Sequence, residues 1–337
     1  MATMKDVAKR AGVSTATVSA VLSGATFVSE PLRVRVQDAI TELGYSRNAM
    51  ARFLKMGQSS LIGLVVPDIT NPFFTDFVDH VQAAATAAGY TVLLGLTEND
   101  AGREPGILAL MRSHQVAGTI LCPTGAPPSY AAIGANAGRM KLVLADNAPS
   151  ETDVDTVVFD NVSAGSLAAR HLLALGHRQI AVVAGPVHQF VAQARHEAFA
   201  RTLENGGVKL DVARIAHGNF REEDAYVVAR RLLAVSEKPT AMFVANNLMM
   251  IGVMRAIADE GLHVPQDLSV ISIDDFAWSA AFQPALTVVR QPIAEMARMA
   301  FQMLLARISG DEGPLRRHVA SPELLLRRSS APAGSAP

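Results

Sequence analysis

The side chains best suited to bind a polar small molecule stand where apolar runs of this sequence end. They are Asp68, Asp146, Asp160, Asn246 and Asp274. Carboxylates accept hydrogen bonds from hydroxyls, and an asparagine amide both donates and accepts them. Because ligands of open parallel sheets bind beyond the carboxyl ends of the strands, we expect these groups to converge on one cleft. Phe220, in the segment GNF, offers an apolar face for a pyranose ring, so the pattern predicts a site for a neutral, polyhydroxylated ligand.

No arrangement typical of catalysis accompanies these polar groups. The sequence contains no GxSxG motif, no phosphate-loop glycine pattern and no cluster of metal ligands. Asp146 with Asp274 would be the best acid–base pair, but accepting sugar hydroxyl protons is a simpler role for both. A turn hydrogen bond explains His177, six residues after His171, better than a metal does. We therefore expect no enzyme, no metal site and no cofactor.

Short apolar runs alternate with helical patterns from residue 60 onward. The runs are SLIGLVVP, YTVLLGLT, VAGTILCP, KLVLAD, TVVFD, QIAVVAGP, TAMFVAN, LSVISIDD and TVVRQP. Continuous apolar strands separated by helices predict parallel sheets covered on both faces. The strand and helix pattern begins at residue 60 and again at residue 179, which favours two similar open α/β lobes over one very wide sheet.

The chain is expected to cross between these lobes near Val162, Gln291 and Ser321, which predicts a three-stranded hinge. The first lobe would then comprise residues 60–161 and 292–320, and the second lobe residues 162–291 and 321–328. The last residues, 329–337, have the composition of a disordered tail.

Residues 1–46 have the pattern of a small helical DNA-binding head. A first helix is capped at Thr3 and stops at Gly12, and a second begins at Ser14. Ala8, Gly12 and Val18 have the spacing of a helix-turn-helix, which needs a small residue at the crossing, a glycine able to adopt positive φ and an apolar plug. This all-α head therefore precedes the α/β lobes.

A third helix is predicted from the cap Ser29 to Gly44. Its inward residues are Leu32, Val36, Ile40 and Leu43. An unrelated three-helix bundle is the alternative, but charge favours a DNA-binding head. Residues 1–60 hold eight Lys or Arg against four acids, whereas the rest of the chain holds 30 − 8 = 22 basic and 31 − 4 = 27 acidic residues. Only the head suits a polyanion.

The length of 337 residues, with 50% apolar residues, predicts two or three domains. No run approaches the ~18 apolar residues of a spanning helix, and the N-terminus lacks the apolar segment of a secretory signal. We expect a cytoplasmic protein with no membrane partner. Its single cysteine, Cys122, follows an apolar run and should be a small buried hydrophobe.

The chain resembles the LacI family of bacterial transcription regulators over residues 3–328. The matching segments are MATMKDVAKRAGVSTATVS, LGYSRNAMARFLK, PDITNPFF, LGH, AGP, VAN followed by GVMRAI, VPQDLSVISIDD and QPALTVVRQP. They occur in the order and spacing of the family. The resemblance implies a two-lobed core like that of periplasmic binding proteins, and a homodimer that binds a palindromic operator, usually as a repressor, under control of a small molecule.

The resemblance also implies how the head contacts DNA. The second helix, from Ser14 to Leu22, would enter the major groove with Thr15, Ala16 and Ala20 at the base-reading positions. Two of these are alanine, so thymine-methyl contacts, Thr15 and indirect readout would carry more of the specificity. Candidates for phosphate contacts are Ser14, Thr17, Ser19 and Asn48, and simple capping or solvated surface explains each of them about equally well. Thr3 and Arg52 complete the predicted DNA-contacting set.

A hinge helix and linker are predicted over residues 47–59. Asn48 caps a segment of eight residues, from Ala49 to Met56, and isolated helices below ~12 to 15 residues are marginal. In the family this helix forms against its dimer mate in the minor groove, and the residue matching Leu54 opens a base step. Core burial is the alternative for Leu54, and Lys55 beside it would reach a base edge or a phosphate.

For the cleft, the resemblance places Phe73 and Phe74 against the ligand, although core packing explains one ring equally well. It also places Arg195 there, where a guanidinium can bridge adjacent hydroxyls. A sugar is favoured over a nucleobase or other metabolite, and the sequence does not distinguish an inducer from a corepressor. A transport-type sugar-binding protein is a more distant alternative, since it would need an export signal and would lack residues 1–57.

Overall fold

The computed structural model describes residues 2–22, 27–45, 59–125, 140–149 and 151–334. The chain divides into two compact units, Met1–Ser59 and Ser60–Pro337, and each is described by itself. The predicted hinge helix lies outside the described residues, and so do the contacts predicted for Asn48, Arg52, Leu54 and Lys55.

The described part of the head contains three helices: α1 (Met4–Ala11), α2 (Thr15–Leu22) and α3 (Glu30–Glu42). They enclose a small apolar core made of Val7, Ala8, Ala11, Val18, Val21, Val28, Val36 and Ala39. Leu32, Ile40 and Leu43 pack against this core while partly buried. The predicted helix-turn-helix fold of the head is confirmed.

The ends of the head helices follow from local hydrogen bonds. Thr3 and Asp6 form a reciprocal capping box, in which the Asp6 carboxylate accepts from the Thr3 N–H at 2.8 Å. Gly12 ends α1 with φ of 64°, a conformation that favours glycine. Ser29 occupies the N-cap of α3, but its hydroxyl makes no capping hydrogen bond. The position of that cap was therefore predicted correctly, and its chemistry was not.

The described strands of the core are, in chain order, β1 (Leu61–Val66), β2 (Thr91–Leu96), β3 (Gly118–Leu121), β4 (Lys141–Ala145), β5 (Asp155–Phe159), β6 (Ile180–Ala184), β7 (Ile215–His217), β8 (Ala241–Val244), β9 (Ser269–Ile273), β10 (Thr287–Arg290), β11 (Arg317–Ala320) and β12 (Glu323–Leu325). One sheet has the order β11-β5-β4-β3-β1-β2 and the other the order β12-β10-β9-β8-β6-β7. Among these described pairs, β10 with β12 is antiparallel and the others are parallel. The predicted two-lobed parallel architecture is confirmed.

The described core helices are α4 (Pro72–Ala87), α5 (Glu104–Ser113), α6 (Asn161–Ala174), α7 (Phe190–Asn205), α8 (Glu222–Leu233), α9 (Asn247–Asp259) and α10 (Ile293–Ile308). Successive strand residues belong to different apolar clusters: Leu64 packs with Phe77 of α4, whereas Val65 packs with Leu108 of α5. Both faces of the first sheet are therefore covered, which is why its strands are continuously apolar. Cys122 is buried, as predicted.

The chain passes between the lobes at three places in the described residues. After β5, α6 packs on β9, β10 and β12 of the second sheet. After β10, α10 packs on β3, β4 and β5 of the first sheet. Finally, β11 belongs to the first sheet and β12 to the second. These three passages join the two lobes.

Three strands were not predicted, and the C-terminus differs from its prediction. β7, β11 and β12 lie at sheet edges, are only three or four residues long and are partly exposed, so they were not among the apolar runs that identified the other strands. The prediction of a disordered tail is wrong for residues 329–334. Ser329 is fully buried, and Val270 N–H donates to its carbonyl at 2.7 Å. Specific hydrogen bonds offset the low hydrophobicity of this segment.

One buried carboxylate connects the crossover strand to the first lobe. Asp155 is 1% exposed, and both its oxygens accept hydrogen bonds from Arg307 at 2.8 Å. Arg316 adds a bond from its backbone N–H at 2.8 Å. Burial alone would raise the pKa of Asp155, but the hydrogen bonds from Arg307 and Arg316 outweigh it and lower the pKa.

We expect Asp155→Asn to lower the free energy of unfolding by roughly 3 kcal/mol at pH 7, because it leaves two partly buried guanidiniums without their anion. The pKa of Asp155 is depressed in the folded state, so its contribution is present above the unfolded pKa and is lost as the pH falls. Urea denaturation at pH 7 and pH 4 measures both effects. Glu237→Gln, at an ion pair whose glutamate is 80% exposed, is the control and should change stability little.

Candidate functional site

A cavity of about 780 Å³ lies between the lobes, at the carboxyl ends of the strands. It is lined by most of the predicted polar and aromatic groups: Asp68, Phe73, Phe74, Asp146, Arg195, Phe220, Asn246 and Asp274. Strand ends from both sheets contribute to it, as expected for an open α/β protein. The two walls belong to different lobes, so a ligand here contacts both.

Asp160 does not line this cavity, contrary to the prediction. Its Oδ1 accepts the Ser163 N–H at 2.9 Å and caps α6. The residue faces a neighbouring crevice of about 360 Å³. The reason is topological: the chain leaves the first lobe directly after β5, so the residue at that strand end begins the next helix instead of facing the ligand.

Arg195 is held in a fixed orientation on α7. The side chain is 3% exposed, its Nε donates to Asn161 Oδ1 at 2.7 Å, and its Nη1 donates to the Ala245 carbonyl at 2.8 Å. Gly165 of α6 lies against the backbone carbonyl of Arg195, where a Cβ would collide with it. The close approach of α6 and α7 thus positions a planar guanidinium at the cavity wall, suited to adjacent hydroxyls.

Asp146 and Asp274 occupy equivalent places after β4 and β9. Both are buried, and both have left-handed backbone φ values, of 64° and 75°. Such conformations strain a side-chain-bearing residue and recur at functional sites. Burial raises the pKa of Asp146 to about 7; Arg195 opposes this shift and Asp274 adds to it. Burial also raises the pKa of Asp274. Arg195, the hydrogen bond from Gln291 and a hydrogen bond from the backbone of Asn247 lower it, but burial has the larger effect.

Asn246 caps a helix and also lines the cavity. Its Oδ1 accepts the Met249 N–H at 2.9 Å and caps α9. The amide nitrogen is left to donate to a ligand at the cavity wall. Asn247, at the next position, is buried and does not line the cavity. The Asp275 carboxylate is bound by Arg327 at 2.8 and 2.9 Å, so Asp274 is the carboxylate available to the cavity.

The aromatic rings of the first lobe are both core and wall. Phe73 and Phe74 pack edge to face with centroids 4.9 Å apart, and Phe73 stacks on Phe77 at 6.3 Å. Both Phe73 and Phe74 also line the cavity. Phe220, from the opposite lobe, adds a third ring. Apolar faces beside carboxylates and amides suit a ligand with alternating C–H and O–H surfaces.

Several residues of the cavity wall were not predicted from the sequence, among them Gln291, Asn147 and Trp278. Gln291 Nε2 donates to Asp274 Oδ1 at 2.5 Å, and among the described residues its buried Oε1 has no hydrogen-bond partner. Asn147 Oδ1 accepts the Val191 N–H across the lobes at 3.4 Å. Trp278, the single tryptophan, is 46% exposed at the cavity. Gln291 had been identified only as a crossing point, although a polar residue at a hinge was a usable signal.

His171 and His177, the histidines considered above as metal ligands, contact side chains and backbone of the second lobe. His177 contacts Thr240 Oγ1 at 2.9 Å and the Ala331 carbonyl at 3.0 Å, and His171 contacts Ser330 Oγ at 2.8 Å. The described residues contain no group of three His, Cys, Asp or Glu side chains arranged to hold a metal ion.

The predicted base-reading face of α2 is accessible within the head. Thr15 and Ala16 are exposed, and Ala20 is half-buried, as is Ser19. Ser14 Oγ accepts the Thr17 N–H at 3.1 Å and lies 2.9 Å from Thr17 Oγ1. The hydroxyls of Thr3, Ser14 and Thr17 thus have local partners, which a phosphate contact would share or replace.

A helix-turn-helix unit followed by a two-lobed, parallel-sheet core with a polar cleft defines a regulatory DNA-binding protein with a ligand-binding core. Residues 3–48 match the family model of bacterial regulatory proteins, lacI family, and residues 169–330 match that of the periplasmic binding protein-like domain. The chain is 36% identical to the HTH-type transcriptional repressor PurR of Erwinia tasmaniensis over 332 residues, covering 98% of this chain and 97% of that protein. This chain belongs to the lacI family of bacterial regulatory proteins.

Solved structures agree with this assignment. The chain is similar to the lac repressor dimer bound to operator and the anti-inducer ONPF, with a TM-score of 0.86, 28% identity and coverage of 98% of this chain and 99% of that one. It is also similar to the transcriptional regulator CelR in its cellobiose complex, with a TM-score of 0.72, 29% identity and coverage of 98% and 100%. None of the described helices is long and apolar enough to span a bilayer.

The raised pKa of Asp146 predicts a pH-dependent stability. In the folded protein this carboxyl keeps its proton up to about pH 7, whereas in the unfolded chain it ionises near 3.8. Its contribution is therefore present below the unfolded pKa and is lost as the pH rises through 7. We expect Asp146→Asn to increase the free energy of unfolding of the ligand-free protein at pH 8, by up to roughly 4 kcal/mol, and to change it little at pH 4.

Urea denaturation at the two pH values measures this difference. Asp68→Asn, at a half-exposed carboxylate of the same cavity, is the matched control and should leave the difference between pH 4 and pH 8 unchanged. Equal effects of Asp146→Asn at both pH values would contradict the burial argument.

Proposed function

We propose that this protein is a ligand-responsive, sequence-specific transcription regulator that binds a palindromic operator as a homodimer, most simply as a repressor. A small sugar or sugar derivative in the interlobe cleft changes its affinity for DNA. As a regulator of chromosomal operators, it works in the cytoplasm and not as an enzyme. Its similarity to PurR repressors and to a lac repressor dimer on operator DNA supports this role.

The observation that carries the effector proposal is the composition of the cleft. Arg195, Asp146 and Asp274 come from both lobes, with Asn246 beside them and Phe220 as an apolar wall. Carboxylates and a fixed guanidinium can share the hydroxyls of one pyranose, while its C–H face packs on the ring. The similarity to a cellobiose complex and to a ribose-bound family member supports a sugar.

A ligand held by both walls has to favour one relative position of the lobes. It changes DNA affinity only to the extent that it binds one closure state better than another. In the proposed mechanism, closure determines whether the hinge segments of the two subunits pair on DNA. A transport-type binding protein is disfavoured, since residues 3–48 match a regulatory-protein family model.

The test combines operator binding with a ligand screen. Fluorescence anisotropy on palindromes from the protein's own promoter measures DNA affinity, and thermal shift identifies ligands among D-galactose, D-ribose, cellobiose, guanine and hypoxanthine. We expect a sugar to raise the melting temperature and to change operator affinity. A response to the nucleobases alone would refute the sugar and retain the regulator, whereas absence of specific DNA binding would refute the regulator itself.

The hinge segment provides a separate prediction. We expect Leu54→Ala to weaken operator binding about 10- to 100-fold, because the resemblance assigns this side chain to an opened base step in the minor groove. Ligand binding measured by calorimetry should be unchanged. Leu326→Ala, at a leucine on the surface of the two-lobed domain that is 65% exposed, is the control and should leave both affinities intact. Loss of ligand binding in Leu54→Ala would instead support the alternative interpretation, in which Leu54 is buried as part of the ligand-binding domain.

A further inference from the structure

Residues 329–333, here called the strap, lie across the beginnings of strands in the second lobe. Ser329 Oγ donates to the Val270 carbonyl at 2.8 Å and accepts the Thr287 N–H at 2.8 Å, so it joins β9 to β10. The N–H of Ala331 donates to Ser269 Oγ at 3.0 Å. The strap is therefore ordered by hydrogen bonds at the end of the sheet opposite the cleft.

Two imidazoles hold the middle of the strap. His177 Nε2 lies 3.0 Å from the Ala331 carbonyl, which can only accept, so Nε2 carries the proton. Nδ1 lies 2.9 Å from the Thr240 hydroxyl, whose proton is shared between Nδ1 of the neutral ring and the Gln179 carbonyl at 3.3 Å. His171, on the last turn of α6, reaches Ser330 Oγ at 2.8 Å. Both rings fit the strap in their neutral forms.

The surroundings of these rings disfavour a positive charge. His177 is 2% exposed, and the Arg178 guanidinium donates to its backbone carbonyl at 3.2 Å. No carboxylate of the described residues forms an ion pair with either imidazole. Burial lowers the pKa of His171, and nearby His177 lowers it further. Burial also lowers the pKa of His177, although the hydrogen bond to the Ala331 carbonyl raises it. Charging both rings would place two cations side by side under the strap.

We propose that the strap is an acid-released clasp, which His171 and His177 hold onto the second lobe while neutral and release once both are protonated. A histidine whose pKa is depressed by folding stabilises the docked state above its ordinary pKa of 6.5, and this stability is lost as the pH falls. α6 joins the clasp to the cleft, because its first residue, Asn161, binds Arg195 and its last turn carries His171.

A spin label on the strap tests the clasp without any ligand. Ala333 is exposed, so Ala333→Cys in a full-length Cys122→Ala background accepts a nitroxide. At pH 8 we expect an electron paramagnetic resonance spectrum typical of an immobilised nitroxide. As the pH falls, this spectrum should convert reversibly to that of a mobile nitroxide, with a midpoint below pH 6.5. Far-ultraviolet circular dichroism, recorded in parallel, should show the core still folded at the midpoint.

Replacing both imidazoles by glutamine is the control, because a glutamine side chain does not titrate but can still donate a hydrogen bond. With His171→Gln and His177→Gln together, the nitroxide on the strap should stay immobilised from pH 8 to pH 5. If the double variant does not fold, His171→Gln alone, at the less buried ring, replaces it in the test. This single variant should shift the midpoint to lower pH. A strap equally mobile at both pH values, an unchanged acid step in the glutamine variants, or release only with global unfolding would each overturn the proposal. Operator binding at pH 8 is independent of these outcomes.

Discussion

Asp274→Ala is expected to weaken effector binding at least about 100-fold, since a buried, charge-assisted hydrogen bond contributes roughly 1.5 to 3 kcal/mol and this carboxylate can accept two. The loss should not come from unfolding. Burial raises the pKa of Asp274, so removing the carboxyl relieves an unfavourable desolvation. We therefore expect the ligand-free stability to remain near that of the unmodified protein. Calorimetric titration of the sugar found in the screen measures the affinity.

The neighbouring carboxylate offers a matched control. Asp275 binds Arg327 through two hydrogen bonds and does not line the cavity. Asp275→Ala should lower the free energy of unfolding while leaving effector affinity unchanged, the opposite of Asp274→Ala. Operator affinity in the absence of effector should be kept by both variants. If Asp274→Ala binds the sugar normally, the ligand contacts proposed for the second lobe are wrong.

Arg195→Met should destabilise the protein by about 3 to 5 kcal/mol at pH 8, because it leaves buried carboxylates without their cation while preserving most of the side-chain volume. Arg195 lowers the pKa of both Asp146 and Asp274, so both pKa values rise when it is removed. The loss should therefore be smaller at pH 5, where the Asp146 carboxyl, with a pKa of about 7, is protonated. Effector binding should be abolished at either pH.

Chemical denaturation at pH 5 and pH 8 separates this electrostatic effect from simple loss of packing. Arg201→Met, at an exposed arginine of the same helix, keeps the helix context and should change neither stability nor binding. A loss in Arg195→Met that is equal at both pH values would assign Arg195 to packing and to its bonds with Asn161 and Ala245.

The two sets of variants also test how the cleft is assembled. Asp146 belongs to the first lobe, whereas Arg195 and Asp274 belong to the second. The Asn147 bond to Val191 spans the same gap at 3.4 Å. Because Asp146 faces the charges of Arg195 and Asp274 from the opposite wall, its electrostatic environment depends on closure. A ligand that binds both walls therefore acts on the relative position of the lobes.

The sequence was most informative where local rules operate. Thr3 and Gly12 were correctly identified as the ends of α1, since capping and left-handed conformations depend on a few adjacent residues. The continuously apolar strands were found because both faces of each sheet are covered. Edge strands such as β11, half-exposed, carried no such signal.

The sequence alone determined the class of head, the two parallel lobes and the polar groups at strand ends, because these follow from periodicity, caps and charge within short segments. Only the tertiary structure decided which groups meet. Asp160 became a helix cap since the chain changes lobe there, Gln291 reached Asp274 from the next crossing, and the C-terminal strap docked on two distant histidines. Each of these outcomes depends on which lobe the following element packs against, and that choice is made by contacts between residues far apart in the chain.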